Sequence, residues 1–199
     1  MRLVLATRNV AKLAELRRIL APLVSVEVVG LADLPEFPEV PETGATFAEN
    51  ALIKAREAAA RTGLPAVADD SGLAVDALNG MPGVLSARWA GSAAGDAANL
   101  RLVLEQVADV PDDRRGAAFV CAAALVTPDG AEQVVHGTMT GTLLRAPRGT
   151  NGFGYDPVFV PTGETRSTAE LTPAEKDAIS HRGQAFRGLA PLVAGVLTR

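Results

Sequence analysis

The chain has 199 residues, 19 of them basic and 23 acidic, and its 48% hydrophobic content excludes a disordered or fibrous protein. With one cysteine, Cys121, and two histidines, it offers neither an internal disulfide nor a zinc cluster. The longest apolar run, residues 117–126, is too short for a membrane helix, which needs about 20 residues. A net charge of −4 also lacks the positive excess of a duplex-binding protein. We therefore expect a soluble, cytoplasmic protein that binds neither membranes nor nucleic acid.

The first half of the chain alternates predicted strands and helices. Strands are predicted at residues 2–6 and 24–30, with an amphipathic helix at 11–21 between them. A loop rich in proline and glutamate follows at 31–45. Thr46 and Glu49 form a capping box, which predicts a helix running to about residue 61. Two further strands, 66–69 and 73–78, are predicted on either side of an acidic turn.

The second half predicts a helix, a group of strands and a helical end. Asp96 begins the helix, and strands at 116–127 and 132–140 flank a Pro-Asp-Gly turn. A third strand at 142–145 leads into a glycine-rich loop at 148–154. A second capping box, Thr172 with Glu175, begins the helical C-terminal region. This order predicts an α/β fold, a two-lobed mixed β-sheet flanked by helices, in one domain over residues 1–199.

Lysine is scarce in this sequence. Only Lys12, Lys54 and Lys176 are lysines among the 19 basic residues. A compact ammonium suits point contacts to phosphate, although residue choice without functional meaning gives the same count. Lys12 closes the segment 7–12, where a predicted strand becomes a helix. Backbone N–H groups, a hydroxyl, an amide and a lysine there can bind an anion, and an ordinary helix cap is the alternative.

Asp69 and Asp70 are adjacent carboxylates at a predicted strand end. Such a pair can hold a hard cation such as Mg²⁺, and a solvated acidic turn is the alternative. Because neighbouring side chains on extended backbone point in opposite directions, we expect only one of the two to face a site directly. The acidic loop adds Glu36, Glu39 and Glu42 as possible further ligands.

Two later segments carry groups suited to a flat polar ring. Phe153 lies between glycines on a loop, where a base can stack on it, with a core aromatic as the alternative. Lys176 and Ser180 share a helix face if the helix continues unbroken, and His181 and Arg182 follow as donors for a carbonyl or phosphate. A charged, solvated helix face is the alternative interpretation.

Taken together, these segments resemble the inosine triphosphate pyrophosphatase family over essentially the whole chain. The resemblance rests on five segments in the same order: residues 5–12, 46–51, 68–73, 153–157 and 179–183. Each segment alone is weakly specific, and five in register are highly specific. One departure is Arg8, where relatives often carry glycine.

The resemblance implies a nucleotide cleft between two lobes, dependence on Mg²⁺ and a homodimer. The implied reaction cleaves ITP, dITP or XTP between the α- and β-phosphates, which keeps these purine nucleotides out of DNA and RNA. It implies Mg²⁺ binding by Glu42 and Asp70 and activation of water by Asp70. The implied substrate-binding residues are Thr7, Arg8, Asn9, Val10, Ala11, Lys12, Lys54, Ser71, Arg88, Phe153, Gly154, Tyr155, Asp156, Lys176, His181 and Arg182.

The resemblance also implies which part of the nucleotide some of these residues contact. It implies phosphate binding by the 7–12 segment and Lys54, stacking by Phe153, and base reading by Asp156, His181 and Arg182. Two other classes of function stay open: a pyrophosphatase for modified pyrimidine nucleotides, and a nucleotide sensor without turnover. No Cys/His or Ser/His/Asp arrangement in the sequence suggests a covalent intermediate.

Overall fold

The computed structural model describes residues 2–20, 22–24, 26–35, 37–38 and 40–197. Within them, the helices are α1 Val10–Leu20, α2 Phe47–Thr62, α3 Gly95–Gln106, α4 Pro173–Ile179 and α5 His181–Leu197. The strands are β1 Arg2–Leu5, β2 Glu27–Gly30, β3 Ala66–Val75, β4 Gly116–Val126, β5 Glu132–Leu143 and β6 Phe159–Pro161. This order confirms the predicted α/β class.

The strands form one mixed sheet with the order β2-β1-β3-β4-β5-β6. Strand β1 pairs in parallel with β2, where Leu3 lies opposite Val28, and with β3, where Leu5 lies opposite Val67. At the other edge, β5 and β6 are antiparallel. The non-sequential order places β3, which carries Asp69 and Asp70, in the interior of the sheet between β1 and β4.

Two predicted breaks in the strands were wrong. The predicted strands at 66–69 and 73–78 form the continuous strand β3 as far as Val75, so Asp69 and Asp70 lie within a strand and not in a turn. Likewise, the predicted strand at 132–140 and the start of the one at 142–145 form β5, which ends at Leu143. A Cβ at Gly141 would overlap the backbone carbonyl of Val160 on β6, so glycine here permits close strand pairing and does not mark a turn.

The C-terminal helical region is divided at Ser180. Thr172 caps α4 by accepting a hydrogen bond from the backbone N–H of Glu175, as the capping box predicts. Ser180 then adopts extended backbone angles, φ −65° and ψ 154°, and ends α4 before α5 begins at His181. The condition for Lys176 and Ser180 to share one unbroken helix face is therefore not met.

The chain forms two compact units, and unit 1 contains the N-terminal strands. Unit 1 lies within Met1–Asp70, Cys121–Gly137 and Arg182–Arg199. Its β1 side chains alternate between two apolar clusters, with Leu3 and Leu5 in one and Val4 in the other. Helices α1 and α5 supply the first cluster, and a face of small alanines on α2 supplies the second. Burial on both sides explains why these parallel strands are almost wholly apolar.

Unit 2 consists of Ser71–Val120 and Thr138–His181 and has its own apolar core. That core packs Leu100 and Val103 of α3 against Leu73, Phe119 and Phe159, and the last two rings lie 4.7 Å apart. Within the described part of the chain, no helix combines the length and apolar character needed to cross a membrane.

Candidate active site

In unit 1, the segment between β1 and α1 forms the predicted helix start. The Asn9 carboxamide oxygen accepts from the backbone N–H of Lys12 at 3.0 Å, and the Thr7 hydroxyl accepts from the Asn9 N–H at 3.3 Å. Val10 is 79% exposed and Ala11 is also exposed, so the first turn of α1 faces solvent. Asn9 therefore caps the helix, and the exposed turn leaves backbone N–H groups available to an anion.

Asp69 and Asp70 reach different partners from adjacent positions on β3. Asp69 is 2% exposed, and its Oδ2 lies 3.1 Å from the Lys12 ammonium. Asp70 is 6% exposed, and its Oδ1 lies 3.6 Å from the Lys54 ammonium. The alternation of strand side chains explains the division, and the burial excludes a solvated acidic turn.

Glu42 and Asp70 converge on the same cation. The Lys54 ammonium donates to Glu42 Oε1 at 2.7 Å and faces Asp70 at the same time. Burial lowers the pKa of Lys54, but Asp69, Asp70 and Glu42 together outweigh it and raise that pKa. The pKa of Asp70 is also raised, chiefly by burial and further by Glu42, although Lys54 opposes this. Two buried or half-buried carboxylates thus share a position that favours positive charge.

This donor set fits Mg²⁺. Carboxylate oxygens are the ligands that Mg²⁺ prefers, and one or two of them usually combine with substrate phosphates. Among the residues that the structure describes, no group of three or more His, Cys, Asp or Glu side chains is arranged to hold a metal ion. A Mg²⁺ ion held by Glu42 and Asp70 would take its remaining ligands from water and substrate phosphates. The other predicted ligands, Glu36 and Glu39, lie outside the described residues.

Arg182 belongs to unit 1, where two carboxylates surround it. Its guanidinium donates to Asp69 at 3.2 Å and to Glu15 of α1 at 3.2 Å, and all three residues are buried. Asp69 is thereby shared between Arg182 and Lys12. These contacts connect Arg182 to the lysine and carboxylate cluster of unit 1, and its predicted role in base reading stays a prediction.

Arg8 contacts the acidic loop. Its guanidinium donates to the backbone carbonyl of Phe37 and lies 5.7 Å from the centre of that ring. Both contacts lie at an exposed surface, where a cation–π contact contributes about 0.5–1 kcal/mol. The long side chain at this position therefore connects the 7–12 segment to the loop that carries Glu42.

In unit 2, Asp156 is the centre of a second buried cluster. Its Oδ2 accepts from the Lys176 ammonium at 2.6 Å and from the backbone N–H of Phe153 at 2.9 Å. Its Oδ1 accepts from the Thr168 hydroxyl at 3.0 Å. Asp156 and Lys176 are only 2% and 6% exposed. This buried ion pair fixes the backbone of the loop at Phe153.

The Phe153 ring lies next to the Lys176 ammonium. The ammonium is 5.2 Å from the centre of the ring, which remains partly exposed. The next residue, Gly154, donates its N–H to Asp96 at 2.8 Å. Tyr155 is buried, its hydroxyl donates to the Ser86 carbonyl at 2.8 Å, and burial raises its pKa. Phe153 is thus the accessible aromatic of this loop, whereas Tyr155 anchors it.

The remaining predicted site residues of unit 2 are Ser71, Arg88 and His181. Ser71 follows Asp70 on β3 and is half-buried. Arg88 ends a 3-10 turn formed by Gly83–Arg88. His181 is buried, with its ring stacked on Phe119 at a centroid distance of 4.9 Å. The nucleotide contacts predicted for these residues, and for Gly154 and Tyr155, stay predictions.

Sequence reasoning missed three buried polar residues that contact the predicted ones. Glu15 pairs with Arg182, Thr168 donates to Asp156, and Asn50 donates to Asp70. For Asn50 a signal was available, since it precedes Lys54 by one helical turn and so shares its face of α2. Glu15 and Thr168 are far from their partners in sequence, and no local pattern indicates those contacts.

The fold and the lysine and carboxylate cluster define an α/β protein with a group suited to polyanion binding. Comparison with known proteins is more specific. The sequence matches the model of the Ham1 family over residues 3–192, and the chain belongs to that family. It is 67% identical, over the full length of both chains, to a dITP/XTP pyrophosphatase of Frankia alni. The family resemblance found in the sequence is thereby confirmed.

Solved structures give the same result for the fold. A nucleoside-triphosphatase, or dITP/XTP pyrophosphatase, from Mycobacterium abscessus is 62% identical with a TM-score of 0.78, over 96% of this chain and 98% of that one. A HAM1 protein from Coxiella burnetii is 46% identical with a TM-score of 0.88, over 98% and 99%.

Proposed function

We propose that this protein hydrolyses non-standard purine nucleoside triphosphates, dITP, XTP and ITP, to the monophosphate and pyrophosphate. Hydrolysis of these nucleotides keeps them out of DNA and RNA. The observation that carries the proposal is the cluster in which Lys12 and Lys54 meet the carboxylates Asp69, Asp70 and Glu42. Full-length relatives named dITP/XTP pyrophosphatase, at up to 67% identity, support it.

The lysines of unit 1 bind the phosphates. Both ammonium groups are largely buried against carboxylates, with 15% and 17% of the Lys12 and Lys54 side chains exposed. A triphosphate brings several negative charges that compete for these ammonium groups, and displacement of phosphorus requires such neutralisation more than covalent help. The exposed first turn of α1, at Val10 and Ala11, adds the positive end of a helix. Thr7, Arg8 and Asn9 belong to the same segment.

Glu42 and Asp70 are the residues that would hold Mg²⁺. The bound ion would supply charge neutralisation on the phosphates. Asp70 is suited to accept the proton of the attacking water, because its burial and the nearby Glu42 raise its affinity for a proton. Lys54, which faces both carboxylates, holds this cluster together before substrate arrives.

The groups of unit 2 bind the base. Phe153 offers a ring face on which any purine stacks, so it supplies affinity without discrimination. The Lys176 ammonium donates hydrogen bonds, which suits the carbonyl at position 6 of hypoxanthine and xanthine. Adenine has an amino donor at that position, so two donors would face each other. Asp156 orients Lys176. The resemblance also implies base reading by His181 of this unit and by Arg182, although Arg182 belongs to unit 1 and contacts Asp69 and Glu15 there.

The proposal has three further parts, which the sequence resemblance and the composition imply. These are the requirement for Mg²⁺, the homodimer and the cytoplasmic location. The resemblance also implies that Ser71, Arg88, Gly154 and Tyr155 contact the nucleotide. Each is open to a direct measurement, such as metal dependence or sedimentation.

Pyrophosphate release from a panel of nucleotides tests the function. The panel contains ITP, dITP, XTP, ATP, GTP and modified pyrimidine triphosphates, each with Mg²⁺ and with EDTA. We expect pyrophosphate from the first three, far less from ATP and GTP, and none with EDTA. Preference for a modified pyrimidine would support the second class of pyrophosphatase. Tight binding without turnover would make the protein a sensor and would contradict the proposal.

A further inference from the structure

We propose that Asn50 is a positioning residue that holds both predicted metal ligands, Asp70 and the loop carrying Glu42, through the two ends of one carboxamide. The inference rests on the proposed roles of Asp70 and Glu42. It gives a role to Asn50, which lies in the 46–51 segment of the resemblance but was not among the predicted site residues.

The donor end of the carboxamide fixes one oxygen of Asp70. Asn50 Nδ2 donates to Asp70 Oδ2 at 3.1 Å, while Asp70 Oδ1 faces the Lys54 ammonium at 3.6 Å. Asn50 and Lys54 are one turn apart on α2, so a single helix face contacts both oxygens of this carboxylate. Because Oδ2 is held by the amide, Oδ1 is the oxygen directed toward the cation.

The acceptor end of the carboxamide fixes the loop. Asn50 Oδ1 accepts from the backbone N–H of Gly44 at 2.7 Å. Gly44 is two residues from Glu42, whose Oε1 lies 2.7 Å from the same Lys54 ammonium. A Cβ at Gly44 would lie 2.6 Å from Glu49 Cβ and 2.7 Å from Asn50 Oδ1. Only glycine therefore permits this close approach of the loop to the amide.

Because it is buried, the Asn50 carboxamide depends on hydrogen bonds to protein groups. Asn50 is fully buried, at 0% exposure, on an α2 face otherwise composed of alanines. A buried amide that lost a partner would be costly, so both hydrogen bonds are maintained together. The loop and the strand thus share one rigid connection, which sets the spacing of Glu42 and Asp70.

Mn²⁺ binding tests the inference without turnover. Mn²⁺, as a probe for Mg²⁺, is titrated into the wild type, Asn50→Ala, Gly44→Ala and Thr46→Ala, and free Mn²⁺ is followed by EPR. We expect the Kd for Mn²⁺ to rise by about tenfold or more in Asn50→Ala, as for other groups that orient metal ligands. Gly44→Ala should give the same defect with Asn50 still present. If Asn50→Ala does not fold, Gly44→Ala carries the test.

Thr46→Ala is the matched control. Thr46 caps the same helix through Glu49, so its loss destabilises the start of α2 by about 1 kcal/mol without removing the Asn50 contacts. The account expects Thr46→Ala to lower Tm and to bind Mn²⁺ as the wild type does. Equal weakening in Thr46→Ala and Asn50→Ala would reduce Asn50 to a stabilising residue and overturn the inference.

Turnover at rising Mg²⁺ provides a second readout. Asn50→Ala retains the Asp70 carboxylate, so high Mg²⁺ should recover much of its kcat, whereas Asp70→Asn should not recover. A loss of kcat in Asn50→Ala that is independent of Mg²⁺ would contradict positioning. If Asp70→Asn itself keeps metal and turnover, the proposed function of Asp70 fails as well. If Asp70→Asn loses metal binding and turnover but Asn50→Ala behaves as wild type, the inference about Asn50 fails and the proposed function of Asp70 stands.

Discussion

The two units bury charge in different ways. In unit 1, Asp69 and Asp70 are surrounded by Lys12, Lys54 and Arg182, with Glu42 and Glu15 close by. In unit 2, one ion pair, Asp156 with Lys176, lies beside an aromatic ring. The first cluster has several charges of each sign, whereas the second has one of each.

This difference indicates which part of a nucleotide each unit suits. A cluster of several lysines and carboxylates can exchange its internal partners for phosphates and a divalent cation, since the incoming charges replace those removed. A single pair beside a ring changes little when a flat, uncharged base stacks there. We therefore expect substitutions in unit 1 to alter turnover of every nucleotide, and substitutions of the Asp156–Lys176 pair in unit 2 to alter the choice of base.

The largest effect is expected at Asp70. Asp70→Asn preserves the shape of the side chain and removes its charge, so the metal ligand and the proton acceptor are lost together. We expect activity to fall by about a hundredfold or more. Steady-state kinetics, with Tm confirming the fold, measure this. Turnover close to the wild type would remove Asp70 from the mechanism.

Loss of a lysine in unit 1 should have the next largest effect on activity. Lys12→Ala and Lys54→Ala should each remove about 1.5–3 kcal/mol of transition-state stabilisation, as expected for a lost charge-assisted contact. The measured quantity is kcat/KM for ITP. Arg61→Ala and Arg101→Ala are the controls, because these arginines form exposed pairs with Glu57 and Glu105 within their own helices. Similar losses in the controls would point to general charge instead of placed lysines.

Arg182 provides a further test of the comparison. The resemblance predicts that it reads the base, whereas its contacts with Asp69 and Glu15 make it part of the charged cluster of unit 1. From its contacts with Asp69 and Glu15, Arg182→Ala leaves two buried carboxylates without their shared cation, which costs about 3–5 kcal/mol of stability. We expect a lower Tm and equal losses of kcat/KM for ITP and ATP. A loss confined to ITP would instead support base reading by Arg182.

A smaller effect concerns acid stability in unit 2. Hydrogen bonds from Thr172 and Arg166 lower the pKa of Glu175 to about 2 from its ordinary 4.5. The ionised group therefore stabilises the fold above pH 4.5, and this contribution is lost as the pH falls from 4.5 toward 2. Glu175→Gln should lower Tm at neutral pH, with the difference from wild type closing across that window. A difference in Tm that stays constant down to about pH 2 would contradict this assignment.

Local signals predicted the helix starts well. The capping boxes at Thr46 and Thr172 depend on residues three apart, so the sequence contains the whole interaction. The continuity of β3 and β5 was not predictable in this way. Ser71, Gly72 and Gly141 are typical of turns, and only pairing with neighbouring strands keeps them extended.

The candidate site was also predictable only in part from the sequence. The residue types of Lys12, Lys54 and Asp70 indicated phosphate and metal chemistry from the sequence. Their pairing did not follow, because Lys12 and Asp69 are brought together only by the parallel pairing of β1 and β3. The partners of Arg182 were likewise hidden, since Glu15 is 167 residues away in the chain.

The central claim is that the unit 1 lysines bind phosphate and that the Asp156–Lys176 pair selects the base. The most direct test is the ratio of kcat/KM for ITP to kcat/KM for ATP, measured in Asp156→Asn and Lys12→Ala. Asp156→Asn keeps the size of the side chain but weakens its hold on Lys176, so the account predicts a large fall in the ratio. Lys12→Ala should lower both values and leave the ratio unchanged, and Phe153→Ala should behave similarly by loss of stacking. A ratio that falls in Lys12→Ala, or that stays at the wild-type value in Asp156→Asn, would contradict these two assignments.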